Sequence, residues 1–103
     1  MMRSKVKAKL IFREKSVLPS GRLWEGVIWS VPISNQYPDG YRYRLALVER
    51  VNGKVVVLFD NHFPKGHHVH LKDGSEIPYE FMSIEKLIED SENAIRHEER
   101  VTK

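Results

Sequence analysis

The sequence predicts an α+β domain, a twisted antiparallel β-meander of five or six strands with one C-terminal amphipathic helix packed on one face. Three observations carry that prediction. Apolar residues alternate at period two through most of the chain, compact turn signals punctuate the alternation, and only the last segment switches to three- and four-residue spacing. The chain has 103 residues, of which 41% are hydrophobic and 30% charged. That is enough for one domain, 1–103, around a single modest core.

The first strand is "VKAKLIFRE" (6–14), where Val6, Ala8, Leu10 and Phe12 alternate with Lys7, Lys9, Ile11 and Arg13. "LPSG" (18–21) supplies a turn. "RLWEGVIWSV" (22–31) is rich in β-branched and aromatic residues and forms a second strand, stopped by Pro32. "SNQYPDG" (34–40) reads as a loop. "YRYRLALVER" (41–50) sets Tyr41, Tyr43, Leu45 and Leu47 against Arg42 and Arg44. "VNGK" (51–54) is a strong hairpin signal, because Asn-Gly suits the two positive-φ positions of a type I′ turn, and "VVVLFD" (55–60) is its return strand. A second hairpin is expected in "LKDGSEIPYE" (71–80) around Asp73-Gly74, with Pro78 confining its last strand to an edge. Ser83 suits a helix N-cap, and Glu85 favours the positive end of the helix dipole. Ile84, Leu87, Ile88, Ser91 and Ile95 then line one helical face, and the helix runs on towards "RHEERVTK".

A single helix covers one face of a meander. If Val6, Leu10, Phe12, Tyr43, Leu45, Leu47, Val55, Val57 and Phe59 face it, then Lys7, Lys9, Arg13, Arg42, Arg44 and Asp60 face away. A formal net charge of +3 thus conceals a cationic open face suited to phosphate. Exposed strand lysines also deter edge-to-edge aggregation, which is the bland account of Lys7 and Lys9. Trp24 and Trp29 are separated by an odd number of residues and so take opposite faces. One belongs to the core and the other can present its indole to a base. No cysteine is present, which excludes disulfides and thiolate metal sites. No apolar run approaches membrane-spanning length and no signal-peptide pattern opens the chain, so a cytoplasmic location without membrane contact is expected.

"FDNHFPKGHHVH" (59–70) holds four of the five histidines. In a strand, His68 and His70 share a face, about 6.6–7 Å apart along the backbone. Three readings stand. His62, His68 and His70 could offer three imidazoles to a metal, although the cupin pattern is not met. Alternatively, the segment does metal-free acid–base chemistry on RNA. His62 and one of His68 or His70 then serve as base and acid, Lys65 stabilises the phosphorane, and Asp60 orients an imidazole. Finally, the histidines can be inert surface composition, which suits His67, turned away from His68 and His70, and the helical His97. The acid–base reading leads, with no metal and no cofactor.

"KAKLIFREK" (7–15), "VIWSVP" (27–32), "YRYRLALV" (41–48) and above all "DNHFPKGHHVH" (60–70) resemble the TumE family of toxins from type II toxin–antitoxin systems. The resemblance runs from about residue 6 to the helix near Ser83. Asp60, Asn61, His62, Lys65, Gly66, His68 and His70 match the family's pattern, whereas position 67 varies in it. The resemblance implies a small intracellular toxin, silenced by a cognate antitoxin that is usually a helix-turn-helix protein from the adjacent gene. Ribonuclease action is the family-level expectation. Together the residues and the resemblance predict a metal-independent endoribonuclease. Its catalytic set is Asp60, His62, Lys65, His68 and His70, with RNA held by Lys7, Lys9, Arg42 and Arg44. Homodimerisation stays open. The alternative is a non-catalytic module that binds nucleic acid or a partner and whose histidines hold a metal or line a groove.

Overall fold

The structure, a computed structural model, describes residues 8–101. Six strands run in chain order: β1 (Lys9–Val17), β2 (Leu23–Ser30), β3 (Tyr41–Val48), β4 (Val55–Asp60), β5 (His68–Leu71) and β6 (Glu76–Pro78). One helix follows, α1 (Ile84–Val101). Every strand pairs antiparallel with its sequence neighbour, giving one sheet ordered β1-β2-β3-β4-β5-β6. This is the α+β meander the alternation predicts.

The core lies between the sheet and α1. Trp24, Ile28, Tyr43, Leu45, Leu47, Val57, Phe59 and Val69 form it from the sheet side, with Leu87 and Ile95 from the helix. The inner face of the sheet is packed tightly around Gly26, at the centre of β2. A Cβ there would stand 2.8 Å from the Leu45 side chain, so only glycine leaves that space. Ser83 caps α1, its Oγ accepting from the Lys86 N–H at 3.0 Å and its carbonyl from Leu87 at 3.0 Å. Ser91 is buried on the helix stripe and bonds the Ile88 carbonyl at 2.9 Å, so its hydroxyl costs little there.

Two bulges alter the predicted faces. The register of β1 against β2 shifts between Leu10 and Phe12. Phe12 therefore pairs with core Ile28, but Leu10 pairs with Trp29, whose other neighbour is Arg42, on the face turned away from α1. Lys9 pairs with Ser30 and so shares the side of Tyr41 and Tyr43, not that of Arg42 and Arg44. An extra residue reverses every side chain beyond it. The second shift, opposite Leu47 and Val48, moves Val55 to the open face, where it packs with Leu23, Ala46, Val48 and Leu58 in a small second cluster. Lys7 and Val6 lie outside the described residues.

The Asn52-Gly53 hairpin forms where expected but with a different turn. Gly53 has φ 71°, and no non-glycine residue among those described has positive φ, so Asn52 does not complete a type I′ pair. Instead Glu49 and Lys54 close a longer loop, and the Asn52 side chain accepts from the Lys54 N–H at 2.9 Å.

Candidate functional site

The open face is organised by cross-strand rows. Arg13 stands beside Val27, Val27 beside Arg44, Arg44 beside Asp60, and Asp60 beside His68, one row across five strands. The next row places Leu58 beside His70, and His70 beside Glu76. A groove of about 590 Å³ opens along this face, bordered by Trp29, Val27, Arg42, Arg44, Asp60 and His62. A larger hollow of about 760 Å³ lies elsewhere, between the β1–β2 turn and the C-terminal half of α1. It is lined by Leu18, Pro19 and Ile95 with a rim of Arg96, Glu99 and Arg100, and carries no histidine.

The cations of the open face are unspent. Among the described residues, Arg13, Arg42 and Arg44 form no ion pair, whereas the buried Arg22 is held by Glu49 at 3.1 Å and Glu99 at 3.4 Å. A guanidinium paired that way braces the fold; one left open on a groove wall can take a phosphate. Trp29 adds an aromatic surface beside Arg42, while Trp24 is in the core.

At the β4–β5 end of the groove sits a chain of polar contacts. The His68 ring is almost fully buried, and its Nδ1 lies 2.6 Å from the Gly66 carbonyl oxygen. Its Nε2 lies 3.2 Å from Asp60 Oδ1 and 2.8 Å from His70 Nε2. His70 Nδ1 lies 3.3 Å from Glu76 Oε2, and the Lys65 ammonium grips both Glu76 oxygens at 2.8 and 3.0 Å. The hydrogen bond from Lys65 holds the Glu76 carboxyl below its ordinary value, with smaller help from His70 and His68. Glu76 is the residue that sequence reading missed. It sits on the partner strand of the hairpin, and only the β5–β6 register brings it opposite His70.

Of the predicted catalytic set, Asp60, His68 and His70 meet directly, and Lys65 joins them through Glu76. His62 does not join the network. Its backbone N–H donates to Asp60 Oδ1 at 3.2 Å, while its exposed ring borders the groove without a hydrogen bond among the described residues. The three-imidazole set imagined for a metal therefore does not assemble; Asp60 takes the place of His62 beside the other two. Asn61, between them in sequence, is structural. Its buried amide accepts from Tyr43 N–H at 3.0 Å and donates to the Tyr41 carbonyl at 2.8 Å, extending the β3–β4 ladder with a side chain.

His67 has partners after all, on the opposite face. Its Nε2 lies 2.7 Å from Asp39 Oδ2, its Nδ1 2.8 Å from the Tyr43 hydroxyl, and its ring stacks on Phe81 at 4.8 Å. A carboxylate only accepts, so Nε2–H donates to Asp39 and Nδ1 accepts the Tyr43 O–H. Burial, with lesser pushes from Tyr79, Asp60 and Asp39, raises the Tyr43 hydroxyl's pKa and keeps it a donor.

A family model for the toxin TumE matches residues 3–99. The chain belongs to the TumE toxin family. No curated protein and no solved structure matches it. Membership in the TumE family makes a toxin role the frame for this site, with an antitoxin as the kind of partner such a toxin has. Among the described residues no helix is long and apolar enough to cross a membrane.

Proposed function

We propose that this TumE-family chain is the toxin of a toxin–antitoxin pair and acts as an endoribonuclease through the open face of its sheet. The observation that carries the reading is the row Arg44–Asp60–His68, in which an unpaired guanidinium, a carboxylate and a buried imidazole stand side by side at one end of a cationic groove. Arg13, Arg42 and Arg44 seat the phosphates, and Trp29 offers a surface for a base. Cleavage then needs a proton taken from the ribose 2′-OH as O2′ bonds to phosphorus, and a proton given to O5′ as the P–O5′ bond breaks. Two places on the groove handle protons, the exposed ring of His62 and the corner formed by Asp60, His68 and His70. Lys65, engaged by Glu76, positions that corner rather than reaching the phosphate first. A cognate antitoxin from the neighbouring gene silences the toxin by direct binding.

Two measurements test the reading. Induction of the chain alone should arrest growth, and co-expression of the adjacent gene should restore it. Purified protein should cut RNA to products with 2′,3′-cyclic phosphate and 5′-hydroxyl ends, the signature of 2′-OH attack. Normal growth at high soluble expression, or RNA left intact, overturns it.

A further inference from the structure

Asp60, His68 and His70 each offer one ligand atom, and those atoms lie within 4.8 Å of one another. Hydrogen-bond arithmetic shows what that cluster is short of. The Gly66 carbonyl can only accept, so His68 must present Nδ1–H to it across 2.6 Å. Glu76 Oε2 stands 3.3 Å from His70 Nδ1, and the Lys65 ammonium grips the same carboxyl, so a proton on His70 Nδ1 has its acceptor there. With each outer nitrogen carrying the proton, a neutral ring leaves its Nε2 as a bare lone pair. Both Nε2 atoms point at each other across 2.8 Å, and Asp60 Oδ1 stands 3.2 Å from the nearer one. Three electron pairs thus converge with no donor among them, which is unfavourable unless a positive species occupies the centre.

We infer that Asp60, His68 and His70 form a binding site for a divalent transition-metal cation of the zinc type. The outer contacts are those a ligating imidazole needs: a carbonyl fixes the tautomer of His68 and a carboxylate that of His70, so that both present Nε2 inward. Two imidazoles and one carboxylate suit zinc and leave positions open for a phosphate oxygen or water. Tetrahedral zinc with ligands at ~2.0–2.1 Å sets neighbouring donors about 3.3 Å apart. The Asp60–His68 spacing of 3.2 Å already fits, the two rings need to part from 2.8 Å by about half an ångström, and Asp60 and His70, within 4.8 Å, must settle at the same spacing. This departs from the metal-free chemistry expected from the residues alone, which set His62 beside the other histidines and left out Glu76 behind His70. Cation binding is independent of the RNA chemistry. The cation's part in cleavage rests on that chemistry: both Nε2 atoms become ligands, the corner handles its proton through a coordinated water, and a phosphate oxygen is drawn to the Arg44 end of the groove.

The test uses the full chain, stripped with chelator and dialysed, then titrated with Zn2+ alone by calorimetry and with Co2+ by visible absorption. One Zn2+ per chain, tetrahedral or five-coordinate cobalt bands, and a melting temperature raised by Zn2+ are expected. His70→Ala should cut affinity at least 100-fold, and Asp60→Asn at least 10-fold, while His97→Ala, on the exposed face of α1, should bind like the wild type. Because His68 is buried, the decisive variants are those of His70 and Asp60, checked for folding by circular dichroism. Sub-stoichiometric zinc, or equal binding by His70→Ala, overturns the site and means that an extra proton fills the centre. RNA cleavage that persists undiminished in fully stripped protein overturns the cation's catalytic part while leaving the endoribonuclease standing. Stoichiometric zinc in a protein that cuts no RNA supports the site and sinks the endoribonuclease instead.

Discussion

His67 faces α1 and His68 faces the groove, although they are neighbours in the chain. His67 sits with Asp39 and Tyr43, His68 sits with Asp60, His70 and, behind that ring, Glu76, and the two networks differ in how their hydrogen bonds close. Around His67 the donors and acceptors match: Asp39 accepts, the ring donates and accepts, and Tyr43 donates. Phe81 stacks on the ring and Tyr43 lies alongside it. Around His68 two Nε2 atoms and Asp60 Oδ1 crowd together, so that neutral rings would leave acceptors facing acceptors, beside Arg44, which forms no ion pair among the described residues. A closed network braces a loop; an open one asks for a ligand. Imidazole and carboxylate in proximity therefore do not by themselves mark chemistry; the site proposed at Asp60, His68 and His70 rests on the unmatched lone pair.

The most direct test of this contrast is to delete one ring from each network. His70→Ala should lower RNA cleavage by about 10²- to 10⁴-fold, the usual range for losing a proton-handling group, with circular dichroism unchanged. His67→Ala should keep cleavage within a few-fold of wild type. Equal losses in the two variants would mean that the open face is not where the chemistry happens.

The next test asks whether the cationic groove works with the open network. Arg42→Ala and Arg44→Ala should each weaken RNA binding and reduce the slope of log affinity against log salt by about one unit. Lys9→Ala, whose register puts it on the other side, should change the slope less. A Lys9 effect as large as that of Arg44 would move the RNA path to the sheet edge.

Stability should respond in the opposite order. His67→Ala strands the mostly buried Tyr43 hydroxyl and should cost about 1–3 kcal/mol in urea unfolding, the usual penalty for an unsatisfied polar group. An unchanged midpoint would remove the bracing role given to the closed network.

The smallest effect calibrates the others. Burial opposes the charge on Asp90, but the Tyr79 hydroxyl and the Lys86 ammonium outweigh it and hold its carboxyl below the ordinary value. The stabilisation is therefore present above the ordinary carboxylate pKa and is lost as pH falls through the lowered one. Lys86→Ala removes only an exposed i,i+4 pair, so at neutral pH its urea midpoint should match wild type within error. A shift as large as that of His67→Ala would erase the distinction between buried and exposed networks.

The sheet was legible because alternation, turn residues and a capped amphipathic helix all point the same way. The positions that misled are those where register is decided between strands. Nothing in "KLIF" announces that Leu10 and Phe12 take different faces; the bulge exists because Phe12 meets Ile28 while Leu10 meets Trp29. At the site, the meeting of Asp60 with His68 was expected from their nearness in one short run, and the β4–β5 pairing delivers it. Glu76 went unused although the marked Asp73-Gly74 hairpin sets it opposite His70, and Asp39 reaches His67 only through a contact between distant segments. His67 was set aside because its partners come from segments that local spacing cannot connect.

The order of elements along the chain also bears on how the molecule is made. All six strands precede α1, and each pairs with the strand synthesised just before it. Sheet and histidine corner can therefore assemble during synthesis, with only short loops to close. Leu45, Leu47 and Phe59 then remain uncovered until α1 arrives to meet them. A message cut short before that helix yields a sheet with an oily face exposed, fit for aggregation and proteolysis rather than for activity. The last eighteen residues of regular structure thus serve as a completeness check, making the toxin's solubility depend on translation having run through α1.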